Sequence, residues 1–268
     1  MIILKTLNKV ILLFLLLILL TGCKENEYDE SRVKEKLSKE LEYMEEKTIN
    51  MLNSLNNISL ENYEVTEKEI EIEKENNKEE KVGITQIKEK SVLENDRNSI
   101  DWENIKNDIE LVDSAWNICL TDLLSLDVNE ELLSNFSDKL NSTIIAIKDE
   151  DKELSLYNLS NIYSLLVELF KFSLLNINEI KIKEAKAYLI EGYIIVEKNK
   201  WEEIDYKLAN AEKKAEEVFK NEEYINKNNN KIKDIQASIG ELKKSLIFHD
   251  IDLFYFHYEK VLKKINKL

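Results

Sequence analysis

Apolar residues, with Thr48 among them, recur at steps of three and four through Val33, Leu37, Leu41, Met44, Met51, Leu55 and Ile58. That spacing lines one face of an α-helix and predicts an amphipathic helical arm within residues 23–58. Over residues 59–98 the pattern gives way to Glu, Lys and Asn with scattered Val and Ile. So little apolar surface does not offset the entropy of ordering a chain, and the segment reads as an acidic low-complexity linker. Its ordered alternative is a weak hairpin, in which the alternation from Glu69 to Glu73 pairs with Val82 to Ile87 across Asn76 and Asn77.

From Ser99 the helical spacing is almost continuous. It predicts seven helices, at 102–123, 133–147, 154–170, 182–196, 201–218, 232–246 and 251–265. Breaks fall near Asp127 and Asn129, at Asp149 to Asp151, and in the Asn-rich run 226–230, all residues that favour caps and turns. The expected fold is therefore all-α: a multi-helix bundle or short helical-hairpin array over 99–268, preceded by the amphipathic arm. Trp102, Trp116 and Trp201 fall on the apolar stripes and are expected in the core.

A gap-free shift of 99 residues lays Trp102 on Trp201, Ile105 on Ile204, Phe136 on Ile235, Leu140 on Ile239 and Asp151 on Asp250. Residues 99–169 and 198–268 then read as two related three-helix units, with the helix near 182–196 as connector. The spacing of Gly192, Ile195, Trp201, Ile204, Leu208 and Ala211 also resembles that of a tetratricopeptide hairpin. Ile204 stands where that repeat uses a small residue, and its closing proline is missing.

The N-terminus changes the picture. Lys5 and Lys9 precede an apolar run from Val10 to Leu20, too short to span a bilayer comfortably and shaped like an export signal over residues 1–22. Leu20, Thr21, Gly22 and Cys23 then resemble the lipobox of bacterial lipoproteins. The resemblance implies cleavage before Cys23, diacylglycerol on its thiol, and stable anchoring once two or more acyl chains are present. The location it implies is the extracytoplasmic face of the cell membrane. The Lys, Glu, Asn and Ile bias resembles that of AT-rich bacteria, in which the anchor sits on the outer face of a single membrane.

Loss of the signal leaves about 245 residues and removes Lys5 and Lys9 from a chain of net charge −15. A body this acidic is a poor partner for nucleic acid or anionic lipid, so the expected membrane contact is the lipid itself. A lipidated Cys23 leaves Cys119 without a disulfide partner. Cys119 sits mid-helix, three residues after Trp116, where a small buried hydrophobe fits and nothing lowers a thiol pKa.

Little else suggests chemistry. His249 and His257 are eight residues apart, about 12 Å along a helix axis, too far to share one metal. Asp250 beside them reads as a helix start. No Gly-x-Ser-x-Gly elbow or phosphate-binding glycine loop occurs, and the chain has no proline and four glycines. No catalytic residue, metal ligand or cofactor is expected. Phe254, Tyr255, Phe256 and Tyr258 point in nearly every direction around the last helix, so this cluster is the expected interaction surface. The sequence thus suggests a membrane-anchored helical module that binds a protein or peptide. The alternatives are a solute- or cation-binding lipoprotein and, third, a cell-envelope enzyme.

Overall fold

The side chain of Asp29 accepts a hydrogen bond from the Arg32 amide and starts α1, Glu30–Leu55, whose buried face runs Leu37, Leu41, Met44, Thr48, Met51, Leu55. The computed structural model describes residues 29–56, 63–72, 80–89, 100–173, 175–219 and 222–266. The export signal, with Leu20, Thr21, Gly22 and Cys23, lies outside them. After α1 come two strands, β1 (Tyr63–Ile72) and β2 (Glu80–Glu89), paired antiparallel with Tyr63 opposite Glu89 and Ile72 opposite Glu80. Residues 63–72 and 80–89 thus pair as in the hairpin alternative, and the rest of 59–98 lies outside the described residues. The ten-residue strands are longer than the five- and six-residue alternations from which the hairpin was read.

Seven helices follow as expected: α2 (Trp102–Ser125), α3 (Glu130–Lys148), α4 (Lys152–Phe170), α5 (Ile177–Tyr193), α6 (Trp201–Phe219), α7 (Glu222–Ser245) and α8 (Ile251–Ile265). Asn129, Asp151 and Asp250, read as punctuation in the sequence, each accept a backbone N–H from the first turn and work as N-caps, and Asp101 and Asn176, not singled out there, do the same. The Asn-rich run 226–230 is not a break, because α7 begins at Glu222 and passes through it. Asparagine is only a modest helix breaker away from a cap, so a helix can run through such a stretch.

The amphipathic arm is not an arm. α1 packs along α2 and α4, running antiparallel to α2 with Lys36 bonded to Asp122 at 2.9 Å and Lys47 to Asp108 at 2.8 Å. With α2 against α3 and α3 against α4, helices α1 to α4 close into a four-helix unit. The same neighbour order recurs in α5 to α8, where α5 meets both α6 and α8. The helix read as a connector is thus the first member of the second unit, just as α1 is of the first. An open array with a concave face between three-helix copies is not the arrangement found.

The 99-residue shift maps one unit onto the other at a specific junction. Glu150 and His249 both take left-handed backbone conformations, and each is followed by the aspartate that caps the last helix of its unit. At that end Lys152 pairs with Glu197 at 3.1 Å, Lys198 pairs with Glu153, and the Tyr255 hydroxyl donates to Glu197 at 3.2 Å. The short 3₁₀ turn Val196–Lys198 thereby ties α4 to the second unit. Gly192, in the tetratricopeptide-like stretch, is not there for close approach: a β-carbon would meet Ile204 and Leu208 at an ordinary 3.7 Å.

The core runs continuously through both units. Trp116 is 3 % exposed, lies 4.2 Å from Phe136 between ring centres, and donates its indole N–H to Ser137 at 3.0 Å. Trp102 and Trp201, expected inside, are only half-buried, because each is the first residue of its helix and sits at a bundle end. Cys119 is fully buried, as expected. Burial pushes its thiol up to about 12, and the nearby Glu40 and Asp122 charges push the same way. Cys119 should therefore resist maleimide in the native protein and label only on unfolding; rapid native labelling would contradict this packing.

Candidate functional site

A buried ionic cluster lies where α1 of the first unit meets α5 of the second. The two helices run parallel there, since Glu45 bonds to Lys183 and Lys186, while seven residues further along α1 the Leu52 carbonyl accepts the Tyr193 hydroxyl at 2.8 Å. Glu45 occupies a core phase of α1, four residues after Leu41. Lys186 does the same on α5, four residues after Ile182. Helical periodicity thus delivers opposite charges to one interior point.

Glu45 is met from three sides. Its Oε1 accepts the Tyr163 hydroxyl of α4 at 2.8 Å and the Lys186 ammonium at 3.3 Å, and its Oε2 accepts Lys183. Burial alone would raise this carboxyl, but the Lys186 and Lys183 charges and the hydrogen bonds from Lys183 and Tyr163 overcome it and hold it at about 2. Burial pulls the Lys186 amine below its usual range, and Glu45 only partly restores it. Burial, the Glu45 charge and its hydrogen bond keep the Tyr163 hydroxyl well above the usual phenol range, hence protonated. Lys186 also donates to Asn266 Oδ1 at 2.8 Å, at the C-cap of α8, and Lys183 rests 4.1 Å from the centre of the Phe170 ring.

This cluster forms one wall of an open cavity of about 430 Å³ between α1, α5 and the end of α8. Ile49, Leu175, Ile182 and Ile265 supply its apolar lining, and Glu42, Glu46 and Glu179 also line it. The size falls in the range of small-molecule sites, roughly 300 to 1,000 Å³, although its lining is richer in charged and polar groups than is usual for them. Chemically the site offers fixed charges of both signs and the amides of Asn50 and Asn266, with no thiol among its lining groups.

The expected interaction surface requires correction. Phe254, Tyr255 and Tyr258 are fully buried, and Phe256 is half-buried beneath Lys260, whose ammonium lies 3.9 Å from its ring centre. The last helix is surrounded because α8 packs on both α7 and α5 and reaches the 3₁₀ turn, so a face that would be open on a terminal helix is covered. Tyr258 stacks on Tyr193 at 4.5 Å, and Tyr255 meets the same ring edge-on at 5.5 Å. Among the described residues the large apolar side chains most open to solvent are instead Ile247 and Phe248, 79 % and 70 % accessible, in the 3₁₀ turn before α8. His249 stacks on Trp201 at 5.3 Å, Asp250 caps α8 as expected, and His257 sits beside Phe256.

Sequence reasoning passed over Glu45, Lys183 and Lys186, although a signal existed. Glu45 and Lys186 flank apolar stripes, next to Met44 and Ala185, at positions that widen the buried face of each helix. In a chain with 53 acidic and 38 basic residues such positions look like ordinary surface charge. No family profile, curated protein or solved structure matches the chain.

Proposed function

We propose that this chain is a lipid-anchored extracytoplasmic binding protein, without catalysis of its own, that takes a solute or the end of a peptide partner in the α1/α5/α8 cavity. The observation that carries this reading is an open cavity of about 430 Å³ with buried, converging charges on its wall. Charge inside a helical core costs free energy, and a hydrophobic cluster of similar volume is often equally or more stable. A charged wall facing an opening is economical where something polar is to be recognised. Two ammoniums on that wall favour an anionic group over a metal cation, which weighs against a cation-binding role.

The anchor fits the same picture. No helix among the described residues is long and apolar enough to cross a membrane, and the lipobox reading of Leu20, Thr21, Gly22 and Cys23 supplies attachment through lipid. Only six residues separate Cys23 from Glu30, so the start of α1 would face the membrane. Glu45 would then stand about 22 Å along α1 from that end, within reach of solutes at the surface. Cys23→Ala should release the protein from the membrane fraction or leave an uncleaved precursor. Protein purified from its own membrane should carry a bound mass in native mass spectrometry. That mass should be absent from Asn50→Phe, which narrows the cavity. Normal membrane retention of Cys23→Ala would defeat the anchor, and an unchanged bound mass in Asn50→Phe would defeat the cavity.

A further inference from the structure

Resting on that reading of the cavity, we propose that its ligand is zwitterionic: an apolar amino acid or short peptide whose free carboxylate docks at Lys183 and Lys186 while its ammonium faces the glutamates lining the cavity. The first argument is charge balance. Two ammoniums face one carboxylate, Glu45, and the other polar partners, Tyr163 and Asn266, are neutral. Within the cluster Glu45 matches one of the two ammoniums, which leaves Lys183, half-buried at the cavity wall, with charge that a ligand can meet. An incoming carboxylate supplies the counter-ion.

Hydrogen bonding points the same way. Lys186 has three N–H donors but two oxygen partners among the described residues, Glu45 and Asn266. Lys183 has one oxygen partner and otherwise rests on the Phe170 ring. Both ammoniums keep donor capacity for a further oxygen, and charge-assisted bonds of this kind are the strong ones.

The remaining lining has the opposite sign. Glu42 and Glu46 are exposed on α1, and Glu179 is half-exposed on α5, its carboxylate accepting the Asn176 amide at 3.0 Å. Ile49, Leu175, Ile182 and Ile265 complete the cavity. A positive wall, acidic residues and apolar sides together match a carboxylate, an amine and an apolar side chain in one molecule. A simple anion would be repelled by the glutamates, and a simple cation by the lysines.

The test uses the full lipidated chain in detergent and the dipeptide Leu-Leu, with its C-terminal amide, its N-acetyl form and free leucine as separate calorimetric titrations. Leu-Leu should bind saturably, at least 10-fold tighter than the amide and several-fold tighter than the acetylated form. Leucine in its place separates a free amino acid from a peptide end. Asn266→Asp puts a carboxylate beside Lys186, so it should raise the thermal midpoint of the empty protein and weaken Leu-Leu at least 10-fold. Equal binding of acid and amide, or Leu-Leu binding unaffected by Asn266→Asp, overturns the proposal. A co-purifying ligand without a carboxylate that Asn50→Phe excludes would overturn the zwitterion yet leave the binding-protein reading standing. Failure of every probe, with no co-purifying ligand, would overturn both.

Discussion

Glu45→Ala should destabilise the protein by about 3 to 5 kcal/mol, the usual consequence of removing one partner from a buried ion pair. The loss comes less from the missing bonds than from what stays behind. Lys186 remains buried with only Asn266 as partner, and the Tyr163 hydroxyl loses its acceptor. Lys183 is half-exposed and can turn its ammonium toward water along its flexible stem, so it adds little to the cost. A double variant, Glu45→Ala with Lys186→Met, removes both buried charges and should recover much of the loss. Urea denaturation of the four members of this cycle gives the coupling directly. Additive losses would show that the two side chains do not interact in solution.

The same cluster sets the acid limit. With Glu45 held at about 2, below its ordinary range near 4.3, the unfolded chain binds the extra proton first as pH falls. Its contribution is fully present above about pH 5 and is lost as pH drops toward 2, on the order of 3 kcal/mol in all. Glu45→Gln should flatten that part of the stability profile. An unaltered acid slope in Glu45→Gln would place the acid-sensitive group elsewhere.

Trp116→Ala should cost about 3 to 5 kcal/mol, the range for emptying a large buried aromatic site. The indole fills the interior between α2 and α3 against Phe136, so truncation leaves a void; the Ser137 hydroxyl that accepted the indole N–H keeps its own bond to the Leu133 carbonyl. Trp102→Ala and Trp201→Ala should each cost less than about 2 kcal/mol, because those half-buried rings at bundle ends leave space that water can enter. Similar losses at all three positions would show that the helix ends are packed as tightly as the middle. The indole emission of the three single variants checks this independently, the most blue-shifted signal being the one lost with Trp116.

What the sequence determined by itself was the local level: helix positions, their caps, and the all-α class. These follow from a 3.6-residue period and from single side chains bonding backbone within their own first turn, as Asp151 and Asp250 do. Partnership between distant segments was decided by the tertiary structure. The stripe on α1 said only that one face is apolar; that it completes a four-helix unit with α2, α3 and α4 depends on which surface it meets. The aromatics of α8 illustrate the converse, since a helix apolar on several sides is equally consistent with an exposed patch and with a buried element. Glu45 and Lys186 are the clearest case. Each is an unremarkable charge in its own helix, and only the parallel packing of α1 and α5, 141 residues apart along the chain at that contact, turns them into a buried pair beside a cavity. Periodicity records which face of a helix is buried, whereas a charge becomes structurally informative only when packing removes its water and supplies its partner.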